Sequence, residues 1–178
     1  LKKNSSKKVI NIHIQNPKID LTHFDFIVAP EHDALVGQNV ISTKGAIHYL
    51  TEKEIIENKE YLNSFINKDE RKIWTLILGG PTKYYDYSTK NMKHIFTMIY
   101  RLFKKHNFQL VVIPSMRTPV NTIHYAKEFF GENHTTIMDV DKKAYLSALA
   151  IAENIIVTCD SSSMISEAAL TGKPIYVA

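Results

Sequence analysis

The densest chemistry in the chain lies at residues 159–167, C-D-S-S-S-M-I-S-E. An apolar run, N-I-I-V-T (154–158), reads as a strand, and a helix is expected over 163–171. A turn from strand into helix gathers several backbone N–H groups and the positive end of the helix dipole at one point. Asp160, Ser161, Ser162, Ser163 and Met164 form that turn, and the serine hydroxyls add neutral donors suited to a pyrophosphate. Glu167 follows about one turn into the helix, where its carboxylate can accept both hydroxyls of a ribose. The pattern suits a nucleotide. The same residues also suit a plain cap, with Ser162 or Ser163 as N-cap and Ser166 or Glu167 as the box partner, and capping does not exclude a ligand. With no G-x-S-x-G elbow, the serines are poor nucleophile candidates.

Three other strand ends carry candidate residues. Gly79 and Gly80 leave room for phosphates to approach the backbone, with Lys83 adding charge, although a Gly-Gly pair also serves a tight turn. The stretch is neither a P-loop nor a G-x-G-x-x-G fingerprint. In S-M-R-T-P (115–119), Arg117 offers a planar donor fork, with Ser115 and Thr118 beside it. Equally, Thr118 caps a helix that has Pro119 at its first position, and Arg117 is solvated. Asp139 and Asp141 have the acid-x-acid spacing of a divalent-metal site, but Asp141 is well placed as a helix N-cap, and no metal is expected. The eight histidines show no H-x-x-x-H pair, so no zinc site is expected.

The elements that must position these groups follow from periodicity. K-K-V-I-N-I-H-I (7–14) and F-D-F-I-V-A-P (24–30) predict strands of one sheet. Thr51 with Glu54 predicts a capping box opening a polar helix near 52–66, which with N-K-D-E makes a connector over 51–70. From Arg71 onward strands at 73–78, 109–114, 135–140, 154–158 and 174–178 alternate with helices near 88–106, 119–130, 142–152 and 163–171. This alternation predicts an α/β fold, a Rossmann-type parallel sheet flanked by helices. Met92, Ile95, Phe96, Ile99, Leu102 and Phe103 form an apolar stripe opposite His94, Thr97, Arg101, Lys104 and Lys105, expected to cover the sheet rather than lie on a membrane.

At 178 residues, 44% hydrophobic and 22% charged, the composition is that of a globular protein. Residues 71–178 carry 13 Lys+Arg against 8 Asp+Glu, whereas 1–70 carry 9 against 10, so the second part is the one to attract an anion, unless its basic face is merely solvated. A lone cysteine, Cys159, forms no internal disulfide. No signal peptide or transmembrane segment is read, and a cytoplasmic protein is expected. The start at Leu1 and the stop at P-I-Y-V-A suggest a piece of a longer chain.

T-C-D-S-S-S-M-I-S-E-A-A-L-T-G-K-P-I-Y-V resembles the nucleotide-binding signature of the two-domain GT-B fold, shared by glycosyltransferases and the non-hydrolysing nucleotide-sugar 2-epimerases. Against the epimerase segment D-S-G-G-x-x-E-E-A followed by G-K-P, the residues Asp160, Ser161, Glu167, Ala168, Gly172, Lys173 and Pro174 match, and Ser162 and Ser163 replace two glycines. The wider pattern resembles the mitochondrial-fission (elongated-mitochondria) family of plants and its bacterial relatives. The blocks are H-I-Q-N-P-K (13–18), F-D-F-I-V-A-P-E-H-D (24–33), G-Q-N-V-I-S-T-K-G-A-I-H (37–48), L-G-G (78–80), S-M-R-T-P (115–119) and 157–174. Where that family has S-R-R-T-P, this chain has Met116 and Arg117.

The resemblance implies a GT-B-like protein in which 1–50 end an N-terminal Rossmann-like domain, 51–70 connect, and 71–178 are most of the nucleotide-binding domain, with a cleft between the domains. It implies phosphate contacts around Ser161 and a ribose contact by Glu167, and makes His32 and Asp33 the acid–base candidates, unless they only cap and hydrogen-bond. The leading expectation is transfer of a sugar from a UDP- or GDP-linked donor, without a cofactor or metal. A nucleotide-sugar epimerase is the second enzyme reading. The other class is a non-catalytic adaptor recruiting a protein partner at a membrane. No nucleic-acid partner is expected.

Overall fold

The structure is a computed structural model that describes residues 5–103 and 106–178. The chain divides into two compact units, Leu1–Tyr49 and Leu50–Ala178. In the first, strands β1 (Ile12–Ile14), β2 (Phe26–Pro30) and β3 (Val40–Thr43) form a parallel sheet in the order β1-β2-β3. The expected strand at 7–14 is present as its last three residues, and β3 carried no signal strong enough to be read. Ile27 and Ala29 are buried on one face, while Ile12, Phe26 and Ile41 on the other are exposed. Asn39 Nδ2 ties the connections together by donating to the carbonyls of Leu21 (2.9 Å) and Phe24 (3.0 Å).

The second unit begins with α1 (Glu52–Glu57), opened by the expected Thr51–Glu54 capping box. The helix stops well short of residue 66: Asn58 caps it, its side-chain amide donating to the Glu54 carbonyl at 2.8 Å, and a 3-10 turn (Lys59–Ser64) follows. Then come β4 (Lys72–Leu78), α2 (Thr89–Phe103), β5 (Phe108–Pro114), α3 (Val120–Phe130), β6 (Thr135–Thr136), α4 (Lys142–Ile151), β7 (Asn154–Val157), α5 (Ser162–Ala169) and β8 (Ile175–Val177). The sheet is fully parallel, in the order β6-β5-β4-β7-β8. β6 has only two residues because the chain leaves the sheet after Ile137, whose N–H still donates to the Val112 carbonyl (3.0 Å).

Both faces are covered, and the strands show why their sequences run almost continuously apolar. Leu76, Leu78, Leu110, Val112 and Ile156 pack with Met92, Phe96 and Ile99 of α2 and Ala126 and Phe130 of α3. The alternate residues Ile77, Ile155 and Val157 pack with α4, α5 and Ile55 of α1, and Val111 and Ile113 with α4. Met92, Ile95, Phe96 and Ile99 of the α2 stripe are therefore spent on the core, while Leu102 is exposed; Lys104, Lys105 and the side chain of Phe103 lie outside the described residues. No helix among the described residues is long and apolar enough to cross a membrane.

Within residues 51–70, the expected connector, Ile55 and Leu62 are buried in this core. Leu62 is fully buried, its N–H donates to Ser147 Oγ (3.1 Å), and that hydroxyl donates to the Lys59 carbonyl (2.8 Å). Buried Gln109 clamps Asn67 through both its N–H and its carbonyl.

Candidate functional site

In the second unit the strand order reverses at β4, since β5 lies on one side of it and β7 on the other. The chain leaves β4 for α2 on one face and leaves β7 for α5 on the opposite face. Connections that diverge in this way open a crevice at the carboxyl ends of two neighbouring strands, the usual ligand position in open α/β sheets. Gly79 and Gly80 follow β4, and Thr158 to Ser161 follow β7, with Ser162 and Ser163 opening α5.

Asp160 holds this crevice together. Its carboxylate is 1% exposed. Oδ2 accepts from the Gly80 N–H (3.0 Å) and from Arg117 Nη2 (2.8 Å); Oδ1 accepts from the hydroxyls of Tyr87 (2.6 Å) and Thr158 (2.7 Å). The ends of β4, β5 and β7 and the segment leading into α2 are thus joined on one side chain. Burial alone pushes the Asp160 carboxyl up, but the bonds from Tyr87, Gly80 and Thr158, with the Arg117 charge, outweigh it and hold it below its ordinary value. Tyr87 is shifted the other way: burial, then its bond to Asp160, push its phenol well up.

The two glycines are demanded by this arrangement. A Cβ at Gly79 would stand 2.1 Å from Asp160 Oδ2, and one at Gly80 would stand 2.1 Å from the Arg117 carbonyl oxygen. Their N–H groups are taken as well, Gly79 by Thr158 Oγ1 (2.8 Å) and Gly80 by Asp160. The room expected here for a phosphate is filled by the protein itself. Lys83 lies with its ammonium 4.6 Å from the Tyr84 ring centre.

Thr118 does not cap α3; Pro119 is the N-cap. The buried Thr118 hydroxyl instead accepts from the Ser115 N–H (2.8 Å) and lies within donating distance of the Leu78 (2.8 Å) and Gly79 (2.6 Å) carbonyls, binding the end of β5 to that of β4. Ser115 Oγ sits 3.2 Å from that hydroxyl. Arg117, with a side chain 44% exposed, gives one N–H to Asp160 and one to the Gly80 carbonyl (3.4 Å), which leaves three of its five donors.

At the end of β7 the N-cap of α5 is Ser161, whose Oγ accepts from the Met164 N–H at 3.4 Å. A cap at Ser162 or Ser163 is therefore not what forms, and Ser162 and Ser163 supply the first helical N–H groups. The Met164 side chain is buried in the core beneath. Glu167 is half-buried, and its Oε2 accepts from the Tyr145 hydroxyl at 2.6 Å. Arg117, Ser161 to Ser163 and Glu167 are thus the groups with exposed capacity, and Asp160, Gly79 and Gly80 are the frame. Sequence reading missed Tyr87, Thr158 and Tyr145, whose partners are distant in sequence or hidden by the turn.

The G-K-P segment is structural in this unit. Gly172 takes a left-handed φ of +64°. Lys173 donates to the Leu149 (2.7 Å) and Ala150 (2.6 Å) carbonyls at the C-terminal end of α4, and the carbonyl of Pro174, just before β8, accepts from the Ile155 N–H of β7. Asp141 is the N-cap of α4 and also accepts from the Tyr61 hydroxyl (2.5 Å), so its carboxylate is engaged. No group of three or more His, Cys, Asp or Glu among the described residues is placed to hold a metal ion. In the first unit His32 and Asp33 lie in a 3-10 turn (Glu31–Asp33) directly after β2.

These features define an α/β protein with a parallel, doubly covered sheet and a polar cluster, centred on the Asp160–Arg117 pair, at its switch point. The sequence profile of the mitochondrial fission ELM1 family matches residues 1–178, so the chain belongs to that family. It is 23% identical over 198 residues to the mitochondrial fission protein ELM1 of Arabidopsis thaliana, covering 97% of this chain and 46% of the relative. It is 26% identical over 155 residues to the uncharacterized protein RP120 of Rickettsia prowazekii, covering 83% and 42%. The chain thus spans less than half the length of these curated relatives. Among solved structures it is similar to UDP-GlcNAc 2-epimerase from Neisseria meningitidis bound to UDP-GlcNAc, with a TM-score of 0.49 at 18% identity over 88% of this chain and 44% of that one. It is also similar to E. coli ADP-heptose lps heptosyltransferase II, with a TM-score of 0.49 at 10% identity over 88% and 56%.

Proposed function

We propose that the second unit binds the nucleotide part of a nucleotide sugar, and that the protein is a GT-B-type, glycosyltransferase-like member of its family. The supporting observation is the Asp160 hub, which gathers Arg117 and the N-terminal turn of α5 at the switch point between β4 and β7. In this reading the diphosphate takes the remaining Arg117 donors, the Ser162 and Ser163 N–H groups and the serine hydroxyls, and Glu167 accepts from the ribose. Ser115 borders the same anion. In the transfer step an acceptor hydroxyl oxygen bonds to the anomeric carbon, the bond from that carbon to the diphosphate oxygen breaks, and a base takes the hydroxyl proton. The charge that develops on the diphosphate is met by Arg117 and the α5 dipole, which is why these donors accelerate the step. His32 and Asp33 are the base candidates.

Isothermal titration of the full chain with UDP, GDP and their sugars tests this reading. Binding is expected with at least one of them, and Arg117→Ala and Glu167→Ala should each weaken it by about 1–3 kcal/mol, the scale for a lost charge-assisted hydrogen bond. No heat with any of these ligands overturns it.

A second reading, an adaptor that recruits a partner at a membrane, draws on the name of the Arabidopsis relative and on Arg117 being partly spent on Asp160. Under that reading a specific partner is recovered equally by wild type and by Glu167→Ala, with no nucleotide bound.

A further inference from the structure

Glu167 and Tyr145 stand on different helices, α5 and α4, that pack on the same face of the sheet. The Tyr145 hydroxyl donates to Glu167 Oε2 at 2.6 Å, the length of a charge-assisted bond. Helical side chains lean back over the preceding turn, which for Glu167 is the turn of Ser163 and Met164 that opens α5. Both residues are half-buried, and the Tyr145 ring packs against the core clusters on either side of α4. The tyrosine is therefore the rigid member of the pair and the glutamate the adjustable one.

A glutamate on a helix surface turns freely about its last torsion, which has broad wells. Accepting two hydroxyls of a cis-diol at once requires that plane to be set, because both donors must meet oxygen lone pairs together. Tyr145 takes one lone pair of Oε2 and leaves Oε1 and the other lone pair of Oε2. Among the described residues Tyr145 is the hydrogen-bond partner of this carboxylate.

We infer that Tyr145 is a positioning residue that orients Glu167 to read a ribose diol, and that the pair makes the site select ribonucleoside over 2′-deoxyribonucleoside diphosphates. This rests on the nucleotide reading above. A site that hydrogen-bonds a ligand hydroxyl rejects the analogue lacking it, because its own polar group is then left unpaired.

The test is calorimetric titration of the full chain with UDP against 2′-deoxy-UDP, and GDP against 2′-deoxy-GDP, in wild type, Tyr145→Phe and Glu167→Gln. Wild type should prefer the ribose form by about tenfold or more. Tyr145→Phe, which keeps the ring in the core, should lose most of that preference through weaker binding of the ribose form, with affinity for the deoxy form unchanged within about twofold. Glu167→Gln should abolish the preference. An undiminished preference in Tyr145→Phe overturns the positioning role and leaves the Glu167–ribose contact standing. An undiminished preference in Glu167→Gln overturns that contact and the inference with it. If wild type binds none of the four ligands, the nucleotide reading itself fails.

Discussion

The carboxylate of Asp160 occupies the space that a side chain at Gly79 would need, since a Cβ built there would come within 2.1 Å of Oδ2. The glycine is thus required by a residue 81 positions later in the chain. Gly79→Ala should destabilise the protein by about 2–3 kcal/mol, because the hub must shift and its buried bonds with it. In an Asp160→Ala background the same change should cost less, since the clashing atoms are gone. Urea denaturation of the double-mutant cycle measures the difference; additive costs would mean that the two positions do not share this contact.

Tyr87→Phe removes a buried donor from Asp160 and should cost about 1–2 kcal/mol. It should also change the acid limb of stability. Asp160 is held below its ordinary value in the fold, so its contribution is complete above the unfolded value and is lost as pH falls through the folded one. Without Tyr87 the folded value rises, and the loss moves to higher pH. Urea midpoints at a series of pH values between about 3 and 6 read the shift.

His134 accepts the Leu110 N–H on Nδ1 at 3.0 Å, which requires a neutral ring. Burial, with the Arg71 charge nearby, pulls its value from 6.5 down to about 4. Between those values the unfolded chain binds a proton that the folded one does not, so stability falls as pH drops through this window. A loss of about 1–2 kcal/mol is expected from pH 7 to pH 5, after discounting for partial exposure. His134→Asn, which keeps an acceptor but does not titrate, should show a smaller loss in the same denaturation series.

Lys173→Met should cost about 1–2 kcal/mol, because two carbonyls at the end of α4 lose a charged donor. Nucleotide affinity should stay within about twofold of wild type if the lysine of G-K-P serves only the fold. A larger change in titration, with stability unaltered, would give this lysine a ligand role instead.

Met116 stands 90% exposed beside Arg117, at the position where the resemblance to an S-R-R-T-P block would place an arginine. Met116→Arg should tighten UDP binding by about three- to tenfold at low ionic strength, with a gain that shrinks as salt is added. A titration at two salt concentrations checks both parts.

Local signals in the chain were sufficient for most of its elements, though not for β3: Thr51 with Glu54 opens α1, Asp141 caps α4, and the apolar runs at 73–78 and 109–114 are the two best-paired strands. These features act between residues a few positions apart, so periodicity and capping chemistry expose them directly. Helix α1 ended early because Asn58 bonds back to its own helix, a choice that propensity does not make. The same local chemistry identified Arg117, Ser161 and Glu167 as candidates, since a residue type after a strand is visible in the sequence. What each does was decided by contacts far along the chain. Tyr87 meets Asp160 across 73 residues, and Tyr145 meets Glu167 across 22. The carboxylate of Asp160 is enclosed, while that of Glu167 beyond it is half-buried and held by Tyr145. A sequence specifies which groups exist and their local backbone; which of them spend their hydrogen bonds inside the protein depends on how the strand ends meet.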